Sequence, residues 1–146
     1  MPNSTGWARV IADTPPRRNT MPSRDLAMYG LDTTIDLSFL IGRESVQIAI
    51  GQYQVIFAFD EDLRISVESE FRLVSPGGEV STWQPCAPQS AAATLRLIGR
   101  KVEKVSGQKD GTLTLTFSGG DVLTILDSSK EYESYDISCP GRTIVV

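Results

Sequence analysis

Leu40-Ile41-Gly42-Arg43 and Leu97-Ile98-Gly99-Arg100 are the same four residues, 57 positions apart, and each opens the same succession of segments. After Arg43, Val46, Ile48 and Ile50 alternate with Gln47 and Ala49, a period of two that predicts a half-buried strand. A tight turn at Gly51-Gln52 leads into Tyr53–Phe59, with Val55, Phe57 and Phe59 on one face. Asp60-Glu61-Asp62 makes the next turn, and Leu63–Val74 alternates again. After Arg100 come a strand over Lys101–Val105, a glycine turn, a strand over Thr112–Phe117, the hairpin signal Ser118-Gly119-Gly120-Asp121 and a strand over Val122–Leu126. Phe59 stands 16 residues after Arg43 and Phe117 stands 17 after Arg100, so one inserted turn residue accounts for the offset. The parallel predicts an internal duplication, with repeats near 40–74 and 97–127.

Each repeat offers an apolar face that needs a cover. The expected fold is therefore mainly β (α+β), with two duplicated antiparallel meanders packed as a sandwich or a curved sheet. Short strands at Glu79–Trp83, Tyr135–Cys139 and Thr143–Val146 complete it. One short helix is expected near 88–97. Its Ala91-Ala92-Ala93-Thr94-Leu95-Arg96 core favours helix, Pro88 suits the start and Gly99 the end, and it should pack through Leu95, Leu97 or Ile98. A helical turn is expected at Asp36–Ile41, capped by Thr34 or Asp36. Gly42 and Gly99 are expected at helix-to-strand transitions that require positive φ. Arg43 and Arg100 would then emerge at equivalent places, as paired surface anchors or as partners for nearby carboxylates.

A chain of 146 residues suits one domain with one core. Its body is expected over 28–146. Residues 1–27 read as an extension, because Thr14-Pro15-Pro16-Arg17-Arg18-Asn19 and Met21-Pro22-Ser23 carry no apolar period. The net charge is −4; residues 1–30 carry four arginines against Asp13 and Asp25, a balance of +2, which leaves −6 on the remainder. An acidic body disfavours nucleic acid and is compatible with a basic protein partner. No apolar run suggests a membrane span, and the N-terminal residues lack the apolar centre of a secretory signal, so a cytoplasmic location is expected.

The chain contains no histidine and only two cysteines, Cys86 and Cys139. No zinc spacing and no Cys–His nucleophile can be built from these, and reduced, buried thiols are expected, with a disulfide as the alternative. Glu68 and Glu70 share a strand face that also carries Arg64 and Arg72, which reads as a solvated charged face rather than an acid–base pair. No phosphate-cradling glycine motif is present. No catalytic residue, cofactor or metal is therefore expected. The segment Lys130-Glu131-Tyr132-Glu133-Ser134-Tyr135-Asp136 sets tyrosines among carboxylates, a composition suited to gripping a basic protein surface through Glu131, Tyr132, Glu133 and Tyr135.

Several of these stretches carry a resemblance. They are the two tetrads, Ile50-Gly51-Gln52-Tyr53-Gln54-Val55 with Phe57-Ala58-Phe59-Asp60, Gly111–Phe117, Tyr132–Tyr135 and the terminal Ile144-Val145-Val146. Over about residues 28–146 the chain resembles a family of small bacterial proteins known only as a domain of unknown function. That resemblance implies no activity and assigns no residues. The expected function is a non-enzymatic bacterial binding or interaction protein, by analogy of class an immunity-type protein. The alternative is a small-ligand-binding domain with its site between the repeats, near Arg43 and Arg100.

Overall fold

The computed structural model describes residues 35–128 and 133–146. The expected extension over 1–27 lies outside them, as do Glu131 and Tyr132. Ten strands run in the order β1 (Ser45–Ile50), β2 (Val55–Phe59), β3 (Arg64–Val67), β4 (Phe71–Val74), β5 (Val80–Trp83), β6 (Val102–Gly107), β7 (Leu113–Phe117), β8 (Val122–Ile125), β9 (Tyr135–Cys139) and β10 (Arg142–Val145). They form two five-stranded antiparallel sheets, β1-β2-β3-β9-β10 and β5-β4-β8-β7-β6. The fold is mainly β, as expected.

The allocation of strands is finer than two packed meanders. Each sheet holds a three-strand meander from one half of the chain and a hairpin from the other: β9–β10 adds to β3, and β4–β5 adds to β8. The expected single strand over Leu63–Val74 is thus two strands in different sheets. Leu63, Ile65, Val67, Ser69, Phe71 and Leu73 are all buried across the break. The alternation survives because both sheets face one core, so a strand can change sheets without changing its period. At the crossing, Glu68 N–H donates to the Ser134 carbonyl at 2.8 Å and Leu126 N–H to the Glu70 carbonyl at 3.0 Å, while the Ser69 hydroxyl donates to the Leu126 carbonyl.

The core is aromatic along the sheet-to-sheet contact. Phe57 meets Phe71 edge-on at 5.5 Å between centroids, Phe71 stacks on Trp83 at 5.2 Å, and Phe59 stacks on Phe117 at 6.4 Å. Each buried side chain of this size contributes on the order of 1.5–3 kcal/mol, and each pair about 0.5–1.5 kcal/mol beyond that.

The two tetrads meet. Ser45 N–H donates to the Arg100 carbonyl at 2.9 Å and Val102 N–H to the Arg43 carbonyl at 3.0 Å, with Glu44 bridging Lys101. Gly42 N–H reaches the Val102 carbonyl and Gly99 N–H the Ser45 carbonyl, both at 2.7 Å. Gly42 and Gly99 have φ of +87° and +89°, in the left-handed region that costs an L side chain roughly 1–2 kcal/mol. Each strand that follows carries a register irregularity at the same place, between Ser45 and Gln47 and between Val102 and Lys104.

The expected helix is present over Pro88–Leu97 as a 3-10 helix. Its buried residues, Ala91, Thr94 and Leu97, recur every third position, the period of that helix rather than of an α-helix. Leu97 packs inward, whereas Leu95 and Ile98 are about half exposed. A 3-10 turn at Ser38–Leu40 ends on the first residue of the first tetrad, with the Asp36 carboxylate accepting the Ser38 N–H at 2.9 Å.

Candidate functional site

The matched geometry of the seam where the two tetrads meet settles the two arginines first. Arg43 donates from Nε to the Phe39 carbonyl at 3.1 Å and pairs through Nη1 with Glu61 at 3.0 Å. Arg100 donates from Nη1 to the Ser118 carbonyl at 2.8 Å. Each braces the turn after the second strand of its own half. Of the two, Arg43 alone has a carboxylate partner among the described residues.

Tyr135 is not a surface contact. It is 1% exposed, and its hydroxyl donates to the Gly111 carbonyl at 2.7 Å. Burial, followed by the charges of Asp127 and Asp110, pushes its phenol well above the ordinary value. The reason is the strand period: Tyr135, Ile137 and the core-facing residues of β3 share one side of the sheet, which an acidic-looking sequence neighbourhood conceals. Glu133 is half-buried just before β9.

The residue that β9 turns outward is Asp136. It stands opposite Ser66 on β3 and opposite Val145 on β10, with Ser138 opposite Arg64 in the next outward row. Serines at 66 and 138 leave room beside the Asp136 carboxyl, yet a carboxyl in the interior of a sheet is still half-buried. Its pKa is pushed up to about 6, first by burial, then by the charge of Glu133 and then by that of Glu68. Glu68 reaches this face because the chain crosses to the other sheet immediately after it. Glu70, its expected companion, belongs on the far side of that crossing, where it pairs with Arg72 at 3.3 Å and accepts from Gln84 at 3.2 Å.

The ion pairs among the described residues are Arg43–Glu61, Arg72–Glu70 and Arg96–Asp121, so none neutralises Glu68, Glu133 or Asp136. Nor do three His, Cys, Asp or Glu side chains among the described residues converge so as to hold a metal ion. Among the described residues, what the face offers is a group of three acids that no ion pair offsets, with Arg64 in the next outward row, on a framework of paired strands. Neither Glu68 as a member of this face nor Asp136 at all was expected as a site residue. Asp136 does occupy an outward position of the strand at Tyr135–Cys139, but its approach to Glu68 depends on the pairing of β3 with β9, strands about 70 residues apart in the chain.

The thiols are free, as expected, but they are not buried. Cys86 is exposed, with φ of +75° and its N–H donating to the Gln52 carbonyl at 2.8 Å; Cys139 is half-buried at the end of β9, and the two are not joined.

Residues 39–146 match the model of a family of unknown function, DUF6188. The chain belongs to this family. The DUF6188 match takes in both tetrads, all ten strands, and the Glu68, Glu133 and Asp136 face. Comparisons with curated proteins and with solved structures found no match. No helix among the described residues is long and apolar enough to cross a membrane.

Proposed function

We propose that this DUF6188 protein is a non-enzymatic binding protein that takes a basic protein segment on the outward face of β3 and β9. The observation that carries the reading is Asp136, a half-buried carboxyl raised to about 6 by burial and by two further acids. A Lys or Arg placed there converts mutual repulsion into charge-assisted hydrogen bonds, so a basic partner binds and lowers that pKa at once. The acidic body of the chain steers such a partner toward it. The setting we infer is bacterial and cytoplasmic, with an immunity-type role in which a small acidic protein neutralises a basic one. The fold itself we read as the product of duplication, a reading supported by the matched hydrogen bonds of the two tetrads and the reciprocal exchange of hairpins. The alternative of a small ligand held between Arg43 and Arg100 finds less support, because each guanidinium is engaged in bracing its own turn.

The test is affinity capture from the native host with the full chain and with a Glu68→Lys/Asp136→Lys variant, each shown to be folded. A protein retained by the first and lost by the second supports the reading. Identical retention by both, or a retained protein with no basic surface, overturns it.

A further inference from the structure

The two sheets have four outer strands, β1 and β10 in one and β5 and β6 in the other. An outer strand shows N–H and C=O groups that another strand can take up, and folded chains blunt such edges with a cover, a bulge, a lysine or a proline. β1 and β6 each have a register irregularity, and the chain at their starts is tied together at the seam. β5 lies against the 3-10 helix at Pro88–Leu97, and Arg72 stands opposite its Thr82. β10 differs. Its register with β9 is unbroken from Arg142 to Val145, it has neither lysine nor proline, and its single charge, Arg142, lies over the Phe39 ring at 4.8 Å.

The pairing of β10 fixes which groups look away from the sheet. Val146 N–H donates to the Tyr135 carbonyl at 2.9 Å and Tyr135 N–H to the Val146 carbonyl at 3.2 Å, so bonded pairs recur at Ile144–Ile137 and Arg142–Cys139. Thr143 and Val145, in the alternate pairs, turn N–H and C=O away from β9, and no backbone group among the described residues meets them. The same two residues stand on the outward face. Val145 continues the row of Ser66 and Asp136, and Thr143 continues the row of Arg64 and Ser138.

We infer that β10 receives the basic segment as an added antiparallel strand, with a Lys or Arg of the partner opposite Val145 and a neutral residue opposite Thr143. This rests on the reading of the β3 and β9 face as the partner site, and it names the form in which the partner arrives. Residues opposite one another on neighbouring strands share a face, so the residue bonded to the Val145 backbone adds its side chain to the row that holds Asp136. It stands two strand spacings from Asp136, about 10 Å. The stem of a lysine crosses that gap over the half-buried Val145 and brings its ammonium toward the carboxyl. Opposite Thr143 a cation would join the row of Arg64, and a neutral residue there sets the phase of the segment. Main-chain bonds to β10 supply the affinity, and alternate side chains supply the choice of partner.

The probe is a capped peptide, Lys-Val-Thr-Val-Lys-Val-Thr-Val, titrated into the full chain at neutral pH and followed by amide NMR and hydrogen exchange. Binding should slow exchange of the Thr143 and Val145 amides. Thr143→Pro, which removes an outward N–H and no bond to β9, should weaken binding by about tenfold or more, as should N-methylation of the peptide's lysines and threonines. N-methylation of its valines, whose N–H groups point away from β10, should change little. Glu68→Lys/Asp136→Lys should weaken binding by about tenfold or more, and a peptide with glutamate in place of lysine should not bind. Circular dichroism checks that each variant is folded. Loss of binding in Glu68→Lys/Asp136→Lys with full binding by Thr143→Pro overturns the added strand and leaves the acidic face standing, whereas a peptide bound equally by both variants overturns the two together. Thr143 and Val145 amides already protected in the free chain, or a peptide that does not bind at millimolar concentration, overturn the added strand alone.

Discussion

Replacing Asp136 by Asn removes an ionisable group without changing the size of the side chain between Ser66 and Val145. The folded chain holds the Asp136 proton to about pH 6, against an ordinary value of 3.8. Below about pH 3.8 the group is protonated in both folded and unfolded chains, and the native state has the full benefit of a neutral carboxyl. As pH rises through 6 the folded chain must ionise a carboxyl that burial and two acids oppose, and that benefit is lost. A shift of this size corresponds to about 3 kcal/mol for a group cut off from water. Asp136 is half open to solvent, and screening brings the cost to about 1–2 kcal/mol. Asp136→Asn is therefore expected to stabilise the chain by about 1–2 kcal/mol near pH 7.5 and to have almost no effect near pH 4. Urea unfolding of both proteins at several pH values, with matching m-values, reads this difference directly. A variant that is less stable than wild type at pH 7.5, or one whose gain does not change with pH, would refute the account of this face.

Tyr135→Phe leaves the Gly111 carbonyl buried without its donor and should cost about 1–3 kcal/mol in urea unfolding, where a surface tyrosine would cost almost nothing. Gly42→Ala and Gly99→Ala should each cost about 1–2 kcal/mol and by similar amounts, because both have positive φ with open space around the added methyl. Unequal costs in thermal unfolding would show that the tetrads are not in equivalent settings. Arg96→Met strands the Asp121 carboxylate, whose side chain is 6% exposed, and should cost about 2–4 kcal/mol. Asp121→Asn should be milder, a difference that calorimetry at neutral pH can resolve.

The strands were legible because each half alternates apolar and polar residues with a period of two, and the glycine turns mark where they end. The seam was legible for a different reason, since two identical tetrads called for equivalent positions and Gly42 and Gly99 adopt the same positive φ. The exchange of hairpins was hidden. Ile65, Val67, Phe71 and Leu73 keep one rhythm through a change of sheet, and no local pattern distinguishes a strand that continues from one that crosses over the same core. That blind spot also misplaced the acids: on one continuous strand Glu68 belongs with Glu70, and only the crossing sends it to Asp136. Tyr135 failed for a simpler reason. Its neighbours in sequence are polar, but its neighbours across the sheet are not, and the period of the strand decides between them.

The most direct measurement is a carbon-detected NMR titration of the Asp136 carboxyl in the full chain, alone and then with the protein captured by it. A midpoint near 6 in the free chain, falling by about one unit or more in the complex as a cation settles beside it, is the result expected of a basic partner on this face. A midpoint near that of an ordinary aspartate in the free chain, or one that does not move in the complex, would contradict it.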